Sequence, residues 1–209
     1  MDTISPLIFQ IIVLIFSAVI HEVSHGAMAY RLGDPTAKQL GRLTLNPFKH
    51  LDPMGSFVVP VLLYMLRSPF VFGWAKPVPF DPRFLKNPKT GSGLIALAGP
   101  ASNVVIALAF GLFSRFSAAS GDEFVLTLIP LFHLIIILNL VLAVFNLIPI
   151  PPLDGSKILF ALLPYSAYAV QGFLERYGLF LVIFVILWGG RIIFPIVDFL
   201  FTLFVGTSY

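Results

Sequence analysis

The sequence predicts an all-α polytopic membrane protein, and three observations predict it: an apolar composition, long apolar runs, and charge concentrated in the stretches between them. Of 209 residues, 58% are hydrophobic and 11% charged, where a soluble domain carries about 25% charged residues. A mean hydropathy of +0.96 and 22 Phe give more apolar surface than a core of this size can hide. Lipid must therefore be part of the solvent. That excludes a soluble enzyme, a nucleic-acid binder and a disordered chain. The net charge of +3 then speaks to orientation rather than to nucleic acid. With no Cys in the chain, disulfide scaffolds, iron–sulfur clusters and thiolate metal sites are excluded as well. There is no internal repeat or low-complexity tract, so 1–209 reads as a single membrane domain.

The first apolar run, about 7–30, would reach about 36 Å as a helix, enough to cross a bilayer. Its start carries Asp2 and no Lys or Arg, and it is too long for a signal-peptide core, so it reads as a span and not as a cleaved leader. The stretch 31–93 is polar, punctuated by Pro and Gly, and holds nine of the thirteen Lys and Arg. Within it, Arg42-Leu43-Thr44-Leu45-Asn46 alternates polar and apolar, which predicts a short strand. The apolar piece at 55–66 is too short to cross comfortably, so about 40–68 is expected to re-enter or lie on the membrane surface. Further spans are expected at about 94–116, 124–148 and 178–205. The third ends in Pro149-Ile150-Pro151-Pro152-Leu153-Asp154-Gly155, because Pro removes donors and clashes with the preceding turn. Gly189, Gly190 and Pro195 interrupt the last run, which reads equally as one tilted span or two shorter pieces.

Ionisable groups inside a span are costly and mark function by default. The first span contains His21-Glu22-Val23-Ser24-His25, an H-E-x-x-H motif. Residues four apart share a helix face, with Cβ atoms about 5–6 Å apart, so both imidazoles can reach one Zn²⁺ at about 2.0–2.1 Å. Glu22, next to the first ligand, can act as general base towards a water there. The bland reading, two satisfied core histidines with a paired glutamate, leaves three ionisable groups in a span without a purpose.

A catalytic zinc takes three protein ligands, and Asp154, His50, His133 and Glu175 are the candidates for the third. His50 falls in the polar loop, where solvation is expected, and His133 reads as a helix-interface residue. Asp154 sits at the Pro-rich break, and irregular backbone at membrane depth is tolerated only where it is buried in protein or lines a wet cavity. Its bland reading is a cap on the short helix that follows. Topology favours the ligand. If 55–66 does not cross, Lys157 and Arg176 join the nine basic residues of 31–91 on one side, against Arg115 on the other. The positive-inside rule places that basic side in the cytoplasm, with His25 and Asp154 both near it.

These residues resemble the site-2 protease family of intramembrane zinc metalloproteases. The resemblance rests on His21-Glu22-Val23-Ser24-His25-Gly26 and Leu153-Asp154-Gly155, strengthened by Ala98-Gly99-Pro100-Ala101-Ser102-Asn103 and Phe145-Asn146-Leu147-Ile148-Pro149. It covers roughly 7–165. It implies that His21, His25 and Asp154 bind one Zn²⁺, that Glu22 activates water, and that Asn103 contacts substrate or the developing oxyanion. A plain interhelical amide contact is the other reading of Asn103. The family likeness also makes the strand near 42–46 part of a membrane-associated β-hairpin that holds an extended substrate. The chain departs from the family in showing neither a PDZ insertion nor a nucleotide-sensing module, and the usual Asn-Pro-Asp-Gly string appears as Pro152-Leu153-Asp154-Gly155. The expected activity is hydrolysis of peptide bonds in the membrane-spanning segments of protein substrates, with the lipid bilayer as the other partner. The expected location is the plasma membrane, with the site towards the cytoplasm. The alternative is a zinc-binding membrane protein without protease activity, a transporter or a regulatory pseudoenzyme; a transporter would more naturally show two comparable broken spans.

Overall fold

The computed structural model describes residues 4–58, 61–62, 65, 76–118 and 122–206. Helix α1 (Ile4–Arg31) runs through the first apolar segment, and a short helical turn, α2 (Thr36–Gln39), follows it. Helix α3 (Pro88–Ala118) is the hub of the bundle. It packs against α1, against α4 (Glu123–Asn146) and against the short α5 (Asp154–Leu162). The reason lies in its sequence: Ala96, Gly99, Asn103, Ala107 and Gly111 recur every three or four residues, and all are buried. Small residues at that spacing let helix backbones approach closely where lipid offers no hydrophobic gain for association.

Helix α4 starts where Asp122 accepts hydrogen bonds from the backbone N–H groups of Phe124 and Val125, satisfying donors that the first turn leaves open. It ends before the Pro-rich break, and Pro164 stops α5 in the same way. The apolar region 178–205 is divided. Helix α6 (Tyr168–Trp188) begins ten residues before it, and α7 (Gly190–Val205) follows after Gly189. Arg176 consequently lies inside α6 and not in a loop. Helix α7 closes the core: Val197 and Phe201 pack with Ala107 of α3 and with Ile136 and Leu140 of α4, all five fully buried.

Among the described residues, four helical segments are long and apolar enough to cross a membrane: Ile8–Arg31, Pro88–Ser117, Glu123–Asn146 and Tyr165–Trp188. Large apolar side chains such as Ile11, Phe16, Phe113, Phe180 and Phe184 point outward from them, as a lipid solvent requires. The protein is an integral membrane protein of the all-α polytopic class.

The expected β-hairpin is not found among the described residues. Among the described residues there is no strand, only a lone bridge at Leu51, and 42–46 is irregular. Local side chains explain this. Thr44 Oγ1 accepts from Asn46 N at 3.2 Å, and Asn46 Oδ1 accepts from Phe48 N at 3.1 Å, opening a 3₁₀ turn at Pro47–Lys49. These short polar side chains give the backbone an alternative to a ladder. A five-residue alternation does not outweigh them. Of the expected re-entrant piece, a π-helical turn covers Pro53–Val58, while 59–60, 63–64 and 66–68 lie outside the described residues.

Candidate metal centre

Helical periodicity sets His21 and His25 on one face of α1, looking towards α3 and the start of α5. Their rings meet edge to face with centroids 4.7 Å apart. Asp154, the first residue of α5, places Oδ2 3.1 Å from the Nε2 of each. All three side chains are buried, and one ligand atom from each lies within 4.8 Å of the others. Leu153, not Asp154, is the N-cap of α5, and the Asp154 carboxylate faces His21 and His25 instead. Lys157 Nζ approaches its other oxygen at 4.0 Å.

Hydrogen-bond polarity determines what this cluster can hold. His25 Nδ1 lies 2.6 Å from the carbonyl oxygen of Ile95, an atom that only accepts, so Nδ1 carries the proton. His21 Nδ1 lies 2.6 Å from Asn103 Oδ1, and Asn103 turns its Nδ2 to the carbonyl of Ser17. A neutral imidazole with a proton on Nδ1 presents a bare lone pair at Nε2. Asp154 Oδ2 also only accepts, so at 3.1 Å each Nε2 either carries a second proton towards it or shares a cation with it. A cation satisfies all three at once. Two nitrogens and one oxygen are a donor set suited to a catalytic zinc with an open position, and the Nδ1 partners supply the outer contacts that fix ligand tautomers.

Gly99 completes the cradle. A Cβ on it would lie 2.4 Å from His25 Nε2 and 2.6 Å from His21 Nε2, so only glycine leaves the space beside both ligand atoms open. Gly155 has a comparable role in the backbone: a Cβ there would meet Leu147 O at 2.2 Å, and its absence lets α5 start directly against the end of α4.

Glu22 is half-buried, with Oε2 accepting from Val78 N at 2.9 Å. Pro77 and Pro79 flank Val78, so Val78 offers the one backbone N–H of that tripeptide, and Glu22 takes it. The segment is tied down on both sides, by Lys76 N to His50 O at 2.7 Å and by Asp81 N to Asp34 Oδ2 at 2.7 Å. Val78 was not singled out from sequence, and Gly99 entered only as part of the motif Ala98–Asn103, without a role of its own. A glycine directly before a proline in a span, and a lone N–H between two prolines, are the signals that point to them.

The other third-ligand candidates lie apart from this cluster. His50 is buried, against expectation, and its Nε2 donates to Thr44 O at 2.8 Å. His133 contacts Ser114 at 3.3 Å and stacks edge-on against Phe201, as a helix-interface histidine does. Glu175 is exposed and accepts from Gln171 one turn earlier. Asn103 is fully buried behind His21, and both its polar atoms are engaged within the bundle.

Comparison with known proteins follows the same direction. The family profile "Peptidase family M50" matches residues 111–188. A Bacillus subtilis (strain 168) protein, provisionally named zinc metalloprotease YwhC, is 40% identical over 203 residues, covering 91% of this chain and 86% of that one. Rip2 of Mycolicibacterium smegmatis, also provisionally named a zinc metalloprotease, is 34% identical over 161 residues, with 74% and 59% covered. Zinc metalloprotease MJ0392 of Methanocaldococcus jannaschii is 37% identical over 78 residues, 37% of this chain and 22% of that protein. No solved structure matches the chain.

Proposed function

The chain belongs to peptidase family M50, the site-2 zinc metalloproteases, and from that premise we propose that it is an intramembrane endopeptidase. Its substrates are the membrane-spanning segments of other proteins, and one zinc per chain is held by His21, His25 and Asp154. The observation that carries this reading is the convergence of two imidazole nitrogens and a carboxylate oxygen inside a bundle of apolar helices. A bound zinc would supply Lewis acidity, polarising the scissile carbonyl and acidifying water.

The chain's own groups do the rest. Ile95 O and Asn103 hold the two imidazoles in the ligating tautomer, so Asn103 is a positioning residue in this scheme. Glu22 is the general base: it takes a proton from the attacking water and returns it to the departing amine nitrogen. The Val78 N–H at Oε2 holds that carboxylate in place and leaves its other oxygen for the proton. The apolar bundle around the site limits water to what enters from the basic side. By the charge division that side is the cytoplasm, and the membrane is the plasma membrane. The whole of 1–209 acts as one domain.

The test is cleavage of a reconstituted transmembrane substrate, with and without chelator, by the parent protein and by Glu22→Gln. Glu22→Gln should keep stoichiometric zinc and lose at least about 10²-fold in rate, the usual worth of a general base. Cleavage that survives complete zinc removal would overturn the reading of the reaction. Cleavage at the parent rate by zinc-loaded Glu22→Gln would overturn the choice of base.

A further inference from the structure

His25 and His21 present their Nε2 atoms in the same way, but the two protons on the far side of the rings are secured differently. His25 donates directly to a backbone carbonyl. His21 donates to a side-chain amide, and an amide can turn over: reversed, Asn103 would offer N–H where it now offers oxygen. His21 would then have to accept at Nδ1, its proton would move to Nε2, and the ligating lone pair would be gone. Something must hold Asn103 in one sense.

We propose that Asn139, a buried residue in the middle of α4, is a positioning residue that sets the tautomer of His21 through Asn103. The chain of contacts begins at an atom without ambiguity. The carbonyl of Ile135 only accepts, and it lies 2.9 Å from Asn139 Nδ2, so this end of the Asn139 amide is the nitrogen. Asn139 Oδ1 then faces Asn103 Nδ2 at 2.8 Å. Asn103 Oδ1 in turn faces His21 Nδ1 at 2.6 Å. Polarity passes from a backbone carbonyl on α4, across α3, to the imidazole on α1. Both asparagines are fully buried, where a reversed amide would leave donor against donor with no water to satisfy either.

Two other contacts brace the chain without being able to replace it. Ser17 O accepts from Asn103 Nδ2 at 3.4 Å, beyond the usual 2.7–3.2 Å of an N–H···O bond. Ser17 Oγ accepts from Asn139 Nδ2 at 2.9 Å, but a hydroxyl donates as readily as it accepts and so carries no polarity of its own. Asn139 lies outside the motifs that carry zinc chemistry, and in sequence alone an amide in a span reads as interhelical packing.

The inference rests on the reading that His21 is a zinc ligand, and the experiment separates the two. Zinc affinity is measured by chelator competition on the full chain in nanodiscs for the parent, His21→Ala, Asn139→Leu, Asn139→Asp and Ser17→Ala. Asn139→Leu keeps the branched shape and removes the acceptor; it should weaken zinc by about 10–100-fold, the usual loss for an outer partner of a ligating histidine. Asn139→Asp keeps an acceptor for Asn103, and should stay within about threefold of the parent. Ser17→Ala should do the same, since Ile135 still sets the polarity.

The second readout is the ring N–H resonance of each ligating histidine in ¹⁵N-His zinc-loaded protein, which has four histidines to assign. Asn139→Leu should shift the His21 Nδ1–H and speed its exchange while leaving the His25 Nδ1–H unmoved, whereas general loosening would move both. If Asn139→Leu gives too little folded protein, Asn139→Asp decides: more than about tenfold weaker zinc refutes the proposal. Parent-like affinity in Asn139→Leu refutes it too, as do equal shifts at both rings. If His21→Ala also binds zinc like the parent, the ligand assignment itself fails and this inference falls with it.

Discussion

Replacing Gly99 by alanine adds one methyl group at the point where the zinc reading is most exposed to refutation. In the native backbone that Cβ would sit 2.4 Å from His25 Nε2, 2.5 Å from His25 Cε1 and 2.6 Å from His21 Nε2. Contacts of this type settle near 3.5 Å, so the overlap is about 1 Å at both rings. The contacted atoms are the free ends of imidazoles, so the protein can relieve the clash by swinging them aside without unfolding. Metal ligation cannot follow, because ligand distances hold to about 0.2 Å. Gly99 also lies within α3, where Gly→Ala favours the helix by about 0.5–1 kcal/mol. The two effects therefore have opposite signs. Gly99→Ala should keep or slightly raise the thermal midpoint of the zinc-free protein and weaken zinc by at least about 100-fold, about 2.7 kcal/mol. Chelator competition and a thermal melt on the same preparation measure both. Zinc binding at parent affinity in Gly99→Ala would refute the claim that the metal sits between these rings. A collapse of the zinc-free fold would refute the claim that the rings can yield.

Asp154→Ala should lose zinc by more than about 100-fold, a larger loss than an outer-shell contact explains, while His50→Ala and His133→Ala leave zinc content unchanged; metal analysis of the three purified variants decides. Orientation is open to labelling because the chain has no cysteine. A thiol placed at Ser120 should react with an impermeant reagent from outside intact cells, and one at Tyr165, which is exposed, should not; reaction of both from one side would overturn the topology.

What the sequence determined by itself is local or additive. Composition required lipid, and 3.6-residue periodicity set His21 and His25 on one face within a single helix. Charge counting together with the expense of a carboxylate at the Pro-rich break singled out Asp154, 133 residues from His21. Each of these properties concerns how one segment meets its solvent or its own next turn. Local preferences mislead where two compete: the alternation at 42–46 predicted a strand, and the hydrogen bonds of Thr44 and Asn46 made turns instead. Only tertiary structure decided the rest. It turned Asn103 inward behind His21, joined it to Asn139 on a third helix, gave Glu22 the lone N–H between Pro77 and Pro79, and left Gly99 as the gap beside both Nε2 atoms. Each of these depends on the direction of a donor or on an ångström of clearance between segments distant in the chain. Hydrophobic patterning is degenerate at that scale: many helix rotations bury the same apolar stripe, and close packing among α1, α3 and α4 selects the one in which these polar atoms meet.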